Sequence, residues 1–260
     1  MTSTLSPPHD ALLETVPPGA THVATRDVDY SADGTALQGY LAFDESTDQA
    51  RPGVLVVHDW NGIGEYVQVR AQMLARLGYI AFAPDIYGRG IRPDDSDAAQ
   101  IAGTYYGNPG LMRSRILAGL DQLQAQPQVD STRIAAIGYC FGGSVSLALA
   151  ASGADLLGVV SFHGALVPVS PEDAAGIRAK ILVLGGAADP VVPDEAVRSF
   201  ENSLRAAPHV DWQHARYSGA MHAFTLPEAN APDHGAQYNA AAEKRSWTAM
   251  LNFFEEIFSS

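Results

Sequence analysis

One cysteine occurs in the 260 residues, and it sits in Gly138-Tyr139-Cys140-Phe141-Gly142-Gly143, where an apolar run ends and small residues follow. The spacing is that of the G-x-S-x-G turn that lifts a nucleophile between a strand and a helix, with Cys in the serine position. A thiol there meets the N-terminal end of a helix, whose dipole and unpaired N–H groups favour a thiolate. The same geometry aims the Phe141 N–H at a developing oxyanion. A free cysteine is equally at home as buried apolar filler, so the hexapeptide alone leaves both roles open.

A thiol nucleophile needs a base and a group that orients the base. Asp189 lies in "LVLGGAADPVVP", just past an apolar run, and His222 lies in "ARYSGAMHAF", just past the strand-like "VDWQHARY". Taken singly, Asp189 reads as a turn residue before Pro190, and His222 as one of eight histidines. Together with Cys140 they fall in the order nucleophile, acid, histidine, each beyond an expected strand end, which is the chain order of the α/β-hydrolases.

The elements that must position these groups are legible from periodicity. Short unbroken apolar runs at 54–57, 79–83, 134–139, 157–162 and 181–184 are what strands show when helices cover both faces of a parallel sheet. Between them, Tyr66, Val69, Met73 and Leu77 mark a helix ending at Gly78, and Met112, Ile116, Leu120 and Leu123 mark another. Trp247, Met250, Leu251, Phe254, Ile257 and Phe258 mark a third. Before all of these, "HVATRDVDY" and "TALQGYLAF" flank Asp33-Gly34 and predict an antiparallel hairpin. The alternation, unbroken by a linker or repeat, predicts a single α/β domain over 21–260, with functional groups at the carboxyl ends of the strands. The two Pro-Pro pairs in residues 1–20 suggest a flexible N-terminal arm.

A net charge of −13 and 47% hydrophobic residues exclude a basic nucleic-acid or membrane surface and supply a sizeable core. The lone cysteine, the lack of a signal-like start and the lack of a long apolar stretch predict a cytoplasmic protein.

Across residues 22–258 the sequence resembles the dienelactone hydrolase family of α/β-hydrolases. The resemblance is carried by "GYCFGG", "PDIYGRG", "GAADPVVP", "MHAF" and "VLVVHDWNGIGEYVQVRAQMLARLGYIAFAPD". It implies ester or lactone hydrolysis by a Cys140, Asp189, His222 triad through a thioester. It further implies an oxyanion hole from the N–H groups of Phe141 and Trp60, and a thiolate-activating acid at Asp59, where the family has Glu. No cofactor or metal is implied. The family's dienelactone-cleaving members hold the substrate carboxylate with two arginines, one of them four residues after the histidine. Here that position is Leu226, and the second arginine has no clear counterpart among Arg89, Arg92, Arg113 and Arg115. The substrates expected are therefore small, less charged esters or lactones.

Two other readings are open on sequence. A non-catalytic α/β-hydrolase-fold binding protein would use the cysteine turn only structurally. A dinucleotide-dependent oxidoreductase would use "GIGEYV", but Val67 stands where the third glycine of G-x-G-x-x-G belongs. His209, Asp211 and Gln213 could share a strand face, yet they lack the spacing of a metal motif.

Overall fold

The computed structural model describes residues 5–259. Eight strands form one sheet: β1 (Val23–Ala32), β2 (Thr35–Asp44), β3 (Arg51–Val57), β4 (Ile80–Ala83), β5 (Val129–Tyr139), β6 (Gly158–Phe162), β7 (Lys180–Gly186) and β8 (Trp212–Tyr217). Their order is β1-β2-β4-β3-β5-β6-β7-β8. The hairpin β1–β2 joins β4 antiparallel, and every pairing from β4 to β8 is parallel. At the hairpin turn Asp33 and Gly34 have φ of 49° and 76°, the doubly positive geometry that matches strand twist.

The helices are α1 (Pro7–Leu13), α2 (Glu65–Arg76), α3 (Asp95–Tyr106), α4 (Pro109–Gln124), α5 (Phe141–Ala151), α6 (Pro171–Gly176), α7 (Asp194–Arg205) and α8 (Ala240–Phe258). Alternate residues of the central strands serve two cores. Val54, Val56, Ala135 and Ile137 pack with α1, α2 and α8, whereas Leu55, Val57, Ile134 and Ala136 pack with α4, α5 and α7. This division explains why the strand sequences are apolar throughout rather than alternating.

Within residues 1–20, expected from their prolines to form a flexible arm, the described part contains the helix α1. Pro7 and Pro8 open α1 instead of keeping the chain extended, since proline suits the first helical turn. Leu12, Leu13 and Val16 are buried in the core beneath α2, and Arg76 of α2 donates to the carbonyls of Leu13 and Val16 at 2.9 and 2.8 Å. Residues 1–4 lie outside the described residues.

Candidate active site

Cys140 has φ 53° and ψ −116° between the end of β5 and the start of α5, a conformation costly for a non-glycine residue. The surrounding glycines make it attainable. A Cβ on Gly138 would stand 2.0 Å from the Gly142 carbonyl oxygen, and one on Gly142 would stand 2.3 Å from that of Val57. The spacing read from sequence is thus a steric requirement of the turn.

The turn is also held from behind. The Cys140 N–H is shared between the Phe162 carbonyl at 2.9 Å and His163 Nδ1 at 3.2 Å. With Nδ1 accepting, His163 carries its proton on Nε2 and donates to Thr225 Oγ1 at 2.7 Å. Burial, aided by the nearby His222 and Arg70, pushes His163 well below the usual histidine range, so it remains neutral.

Thr225 Oγ1 also accepts the Tyr66 hydroxyl at 2.8 Å. Tyr66 accepts from Arg70 Nε at 3.2 Å, and Arg70 pairs with Glu243 of α8 at 3.0 Å. Arg70 is 1% exposed, with its guanidinium over the rings of Tyr66, Tyr139 and Trp247. A buried polar chain therefore runs from α8 through α2 to the backbone of Cys140. Sequence reasoning missed it: Arg70 occupies a helix position next to the apolar stripe, and nothing local marks it as buried.

His222 lies in a tight loop after β8, and the next residue, Ala223, has φ 54°. Its backbone is pinned on both sides, N–H to the Gly235 carbonyl at 2.9 Å and carbonyl from the Gln237 N–H at 3.0 Å. The ring lies between the other two candidates, Nε2 at 3.1 Å from Cys140 Sγ and Nδ1 at 2.9 Å from Asp189 Oδ2. Asp189 Oδ1 in turn accepts the N–H groups of Val191 and Val192 at 2.8 and 3.3 Å, which fixes the carboxylate beyond β7. Burial alone would lower the His222 pKa, but the bonds to Asp189 and Cys140 outweigh it and push the group up to about 10. An imidazolium so placed stabilises an adjacent thiolate.

The loop after β3 supplies the remaining sequence candidates. His58, the first residue after β3, locks the loop: Nδ1 donates to the Asp59 carbonyl at 2.6 Å, and Nε2 accepts the Ile86 N–H at 3.3 Å. Among the described residues neither the Trp60 N–H nor the Phe141 N–H has a recorded acceptor. Phe141 is the first residue of α5 and has no intrahelical acceptor.

Asp59 is buried, and its Oδ1 accepts the Asn61 N–H at 2.9 Å; no hydrogen bond joins it to Cys140 among the described residues. Burial, reinforced by Asp95 and Glu228, pushes its carboxyl up to about 6 despite the Asn61 bond. The Tyr87 hydroxyl, from the "PDIYGRG" segment, is buried and has no hydrogen-bond partner among the described residues. Sequence reasoning used this segment only as a family mark.

For metal ions, the side chains that come together among the described residues are His9, Glu65 and Glu228. Their geometry is that of a clamp: His9 Nδ1 meets Glu65 Oε2 at 2.6 Å, and Ser6 donates to the same carboxylate, tying α1 to the start of α2. That carboxylate occupies the helix start where "GIGEYV" would have had to receive a pyrophosphate. Asp211 pairs instead with Lys180 at 3.3 Å. No helix among the described residues is long and apolar enough to cross a membrane.

A mostly parallel sheet with a strained cysteine turn at the carboxyl end of its fifth strand, and histidine and aspartate beyond later strands, defines an α/β-hydrolase fold. The dienelactone hydrolase family model matches residues 37–258, and the chain belongs to that family. A Salmonella typhimurium protein named "Putative carboxymethylenebutenolidase" is 31% identical over 235 residues, covering 86% of this chain and 84% of its own. The Escherichia coli K12 protein of the same name is also 31% identical over 235 residues, covering 86% of this chain and 83% of its own. Among solved structures, a dienelactone hydrolase-like promiscuous phosphotriesterase from metagenomic libraries is 41% identical, with a TM-score of 0.88. It covers 91% of this chain and 99% of its own.

Proposed function

We propose that the protein hydrolyses small neutral esters or lactones through a cysteine thioester, with Cys140 as nucleophile, His222 as general acid and base, and Asp189 as the group that orients His222. The observation that carries this reading is the continuous hydrogen-bonded line Cys140 Sγ, His222, Asp189, ending on a strained turn. A buried structural thiol would need neither the strain nor the imidazole.

The Cys140 thiolate, paired with the His222 imidazolium, adds to the ester carbonyl. The resulting oxyanion receives the Phe141 and Trp60 N–H groups. Collapse breaks the C–O bond, and the departing alkoxide takes the proton from His222, leaving a thioester. His222, now neutral, removes a proton from water as the water oxygen adds to the thioester carbonyl. Expulsion of the thiolate releases the acid and restores the ion pair. Asp59, which has no hydrogen bond to Cys140, helps form the thiolate by accepting the thiol proton through a bridging water rather than by direct contact.

Leu226 packs at the edge of the core containing α2 and α8. It offers no charge to a substrate carboxylate, which favours uncharged substrates. The phosphotriesterase relative at 41% identity makes a neutral phosphotriester a second class of compound to assay. The test is a panel of aryl esters, lactones and one phosphotriester with wild type and Cys140→Ala, with intact-mass detection of an acyl adduct during turnover. Cys140-dependent hydrolysis with an adduct on Cys140 is expected; full activity in Cys140→Ala overturns the proposal.

A further inference from the structure

A cavity of about 270 Å³ opens among α3, α4, α5 and α6. Its walls are largely apolar, with Met112, Leu147, Ala148, Val167 and Phe200 contributing. Ser144, one helical turn after Cys140, lines it, and the Ser144 N–H bonds the Cys140 carbonyl at 3.4 Å. On the Ser144 side of the cavity the Tyr106 hydroxyl meets Ser144 Oγ at 3.0 Å, and the Tyr106 ring stands edge-on to Phe141 with centroids 5.6 Å apart.

The charged residues of the lining are Arg113 of α4 and Asp173 of α6. They face each other as a bidentate pair, with Nη1 to Oδ1 at 3.0 Å and Nη2 to Oδ2 at 2.5 Å. Both guanidinium ends that could grip an incoming carboxylate are thereby already occupied by one. The other arginines of this region are engaged elsewhere. Arg89 pairs with Asp29, Arg92 donates to the carbonyls of Ile63 and Ile91, and Arg115 donates to Ala32 and Thr35.

We propose that this cavity is the subsite for an uncharged apolar substituent of the substrate, and that the Arg113–Asp173 pair makes it select against substituents bearing a carboxylate. The inference rests on the reading of Cys140 as nucleophile and adds the group that determines charge selectivity. A carboxylate entering wild type would meet a neutralised pair and a low-polarity wall, losing water without gaining a partner. Removing the Asp173 charge would convert Arg113 into a receptor for it.

The experiment compares kcat/KM for nitrophenyl esters of acetic, pentanoic and glutaric acids, the last as the mono-ester with a free carboxylate. In Asp173→Asn the preference for pentanoate over glutarate is expected to shrink at least about tenfold, mainly through KM for glutarate, the scale of one charge-assisted hydrogen bond gained. Adding Arg113→Met to Asp173→Asn restores the preference. Ala148→Phe, which fills the cavity, raises KM for pentanoate more than for acetate. An unchanged pentanoate-to-glutarate ratio in folded Asp173→Asn overturns the role of the ion pair. Equal effects of Ala148→Phe on both neutral esters overturn the cavity as subsite. Both outcomes are read on hydrolysis that Cys140→Ala abolishes, so they are distinct from failure of the nucleophile assignment, in which Cys140→Ala retains activity.

Discussion

His163 Nδ1 stands 3.2 Å from the backbone nitrogen of Cys140, so the cysteine turn is supported by a side chain from the neighbouring strand end as well as by the sheet. The proton on His163 Nε2 continues the contact to Thr225, three residues beyond His222. Cys140 and the loop that carries His222 are in this way tied to one buried imidazole. Replacing His163 by Ala removes one hydrogen bond from the Thr225 hydroxyl, which keeps Tyr66, and one from the Cys140 N–H, which keeps the Phe162 carbonyl. The expected stability loss is about 1–3 kcal/mol, read by urea melts. The same variant should lower kcat more than it raises KM, because Cys140 and His222 lose their common support.

The elevated His222 pKa gives a stability prediction with a definite sign. A group pushed up to about 10 from an ordinary 6.5 favours the folded state in full below about pH 6.5 and loses that contribution as the pH rises through 10. The stability difference between wild type and His222→Gln should therefore shrink between pH 7 and pH 10.5, roughly the span between these values. A difference constant across that range would contradict the ion pair.

Asp59 works in the opposite sense. Its pKa is pushed up to about 6 from 3.8 by burial, so the folded state prefers the neutral acid and is penalised as the pH rises through 6. Asp59→Asn keeps an oxygen for the Asn61 N–H and removes the charge. Relative to wild type it should gain up to about 3 kcal/mol in going from pH 4 to pH 8. Equilibrium denaturation at the two pH values checks this.

Glu243 is the carboxylate partner of a buried guanidinium. Glu243→Gln leaves Arg70 charged among Tyr66, Tyr139 and Trp247, and should cost about 3–5 kcal/mol. Arg70→Met combined with Glu243→Gln should recover part of that loss, since apolar replacement of a buried pair is often neutral. A double-variant melt that shows no recovery would argue against coupling between the two residues.

The packing of α1 is testable by a single truncation. Leu12 is 4% exposed beneath α2, and Leu12→Ala should lower stability by about 2–5 kcal/mol. A loosely attached arm would show no change in the same melt.

The sequence by itself determined the sharp turn at Cys140 and the chain order in which Asp189 and His222 follow it, each beyond a strand end. Gly138, Cys140 and Gly142 carry their own steric logic; Asp189 follows the apolar run of the buried strand β7, and His222 follows the strand-like segment that forms the half-exposed edge strand β8. The helices marked by Tyr66, Met112 and Trp247 were legible for the same reason, because period and burial are local properties of the chain. Only the tertiary structure decided which polar side chains meet. Arg70, Thr225 and Glu243 lie 18 or more residues apart and come together because α2, α8 and the His222 loop pack on one face of the sheet. The pairing of Arg113 with Asp173, and the diversion of Asp59 to Asn61, depend likewise on distances no spacing encodes. Hydrogen bonding is directional and short-ranged, so it is settled after the strands and helices have been placed.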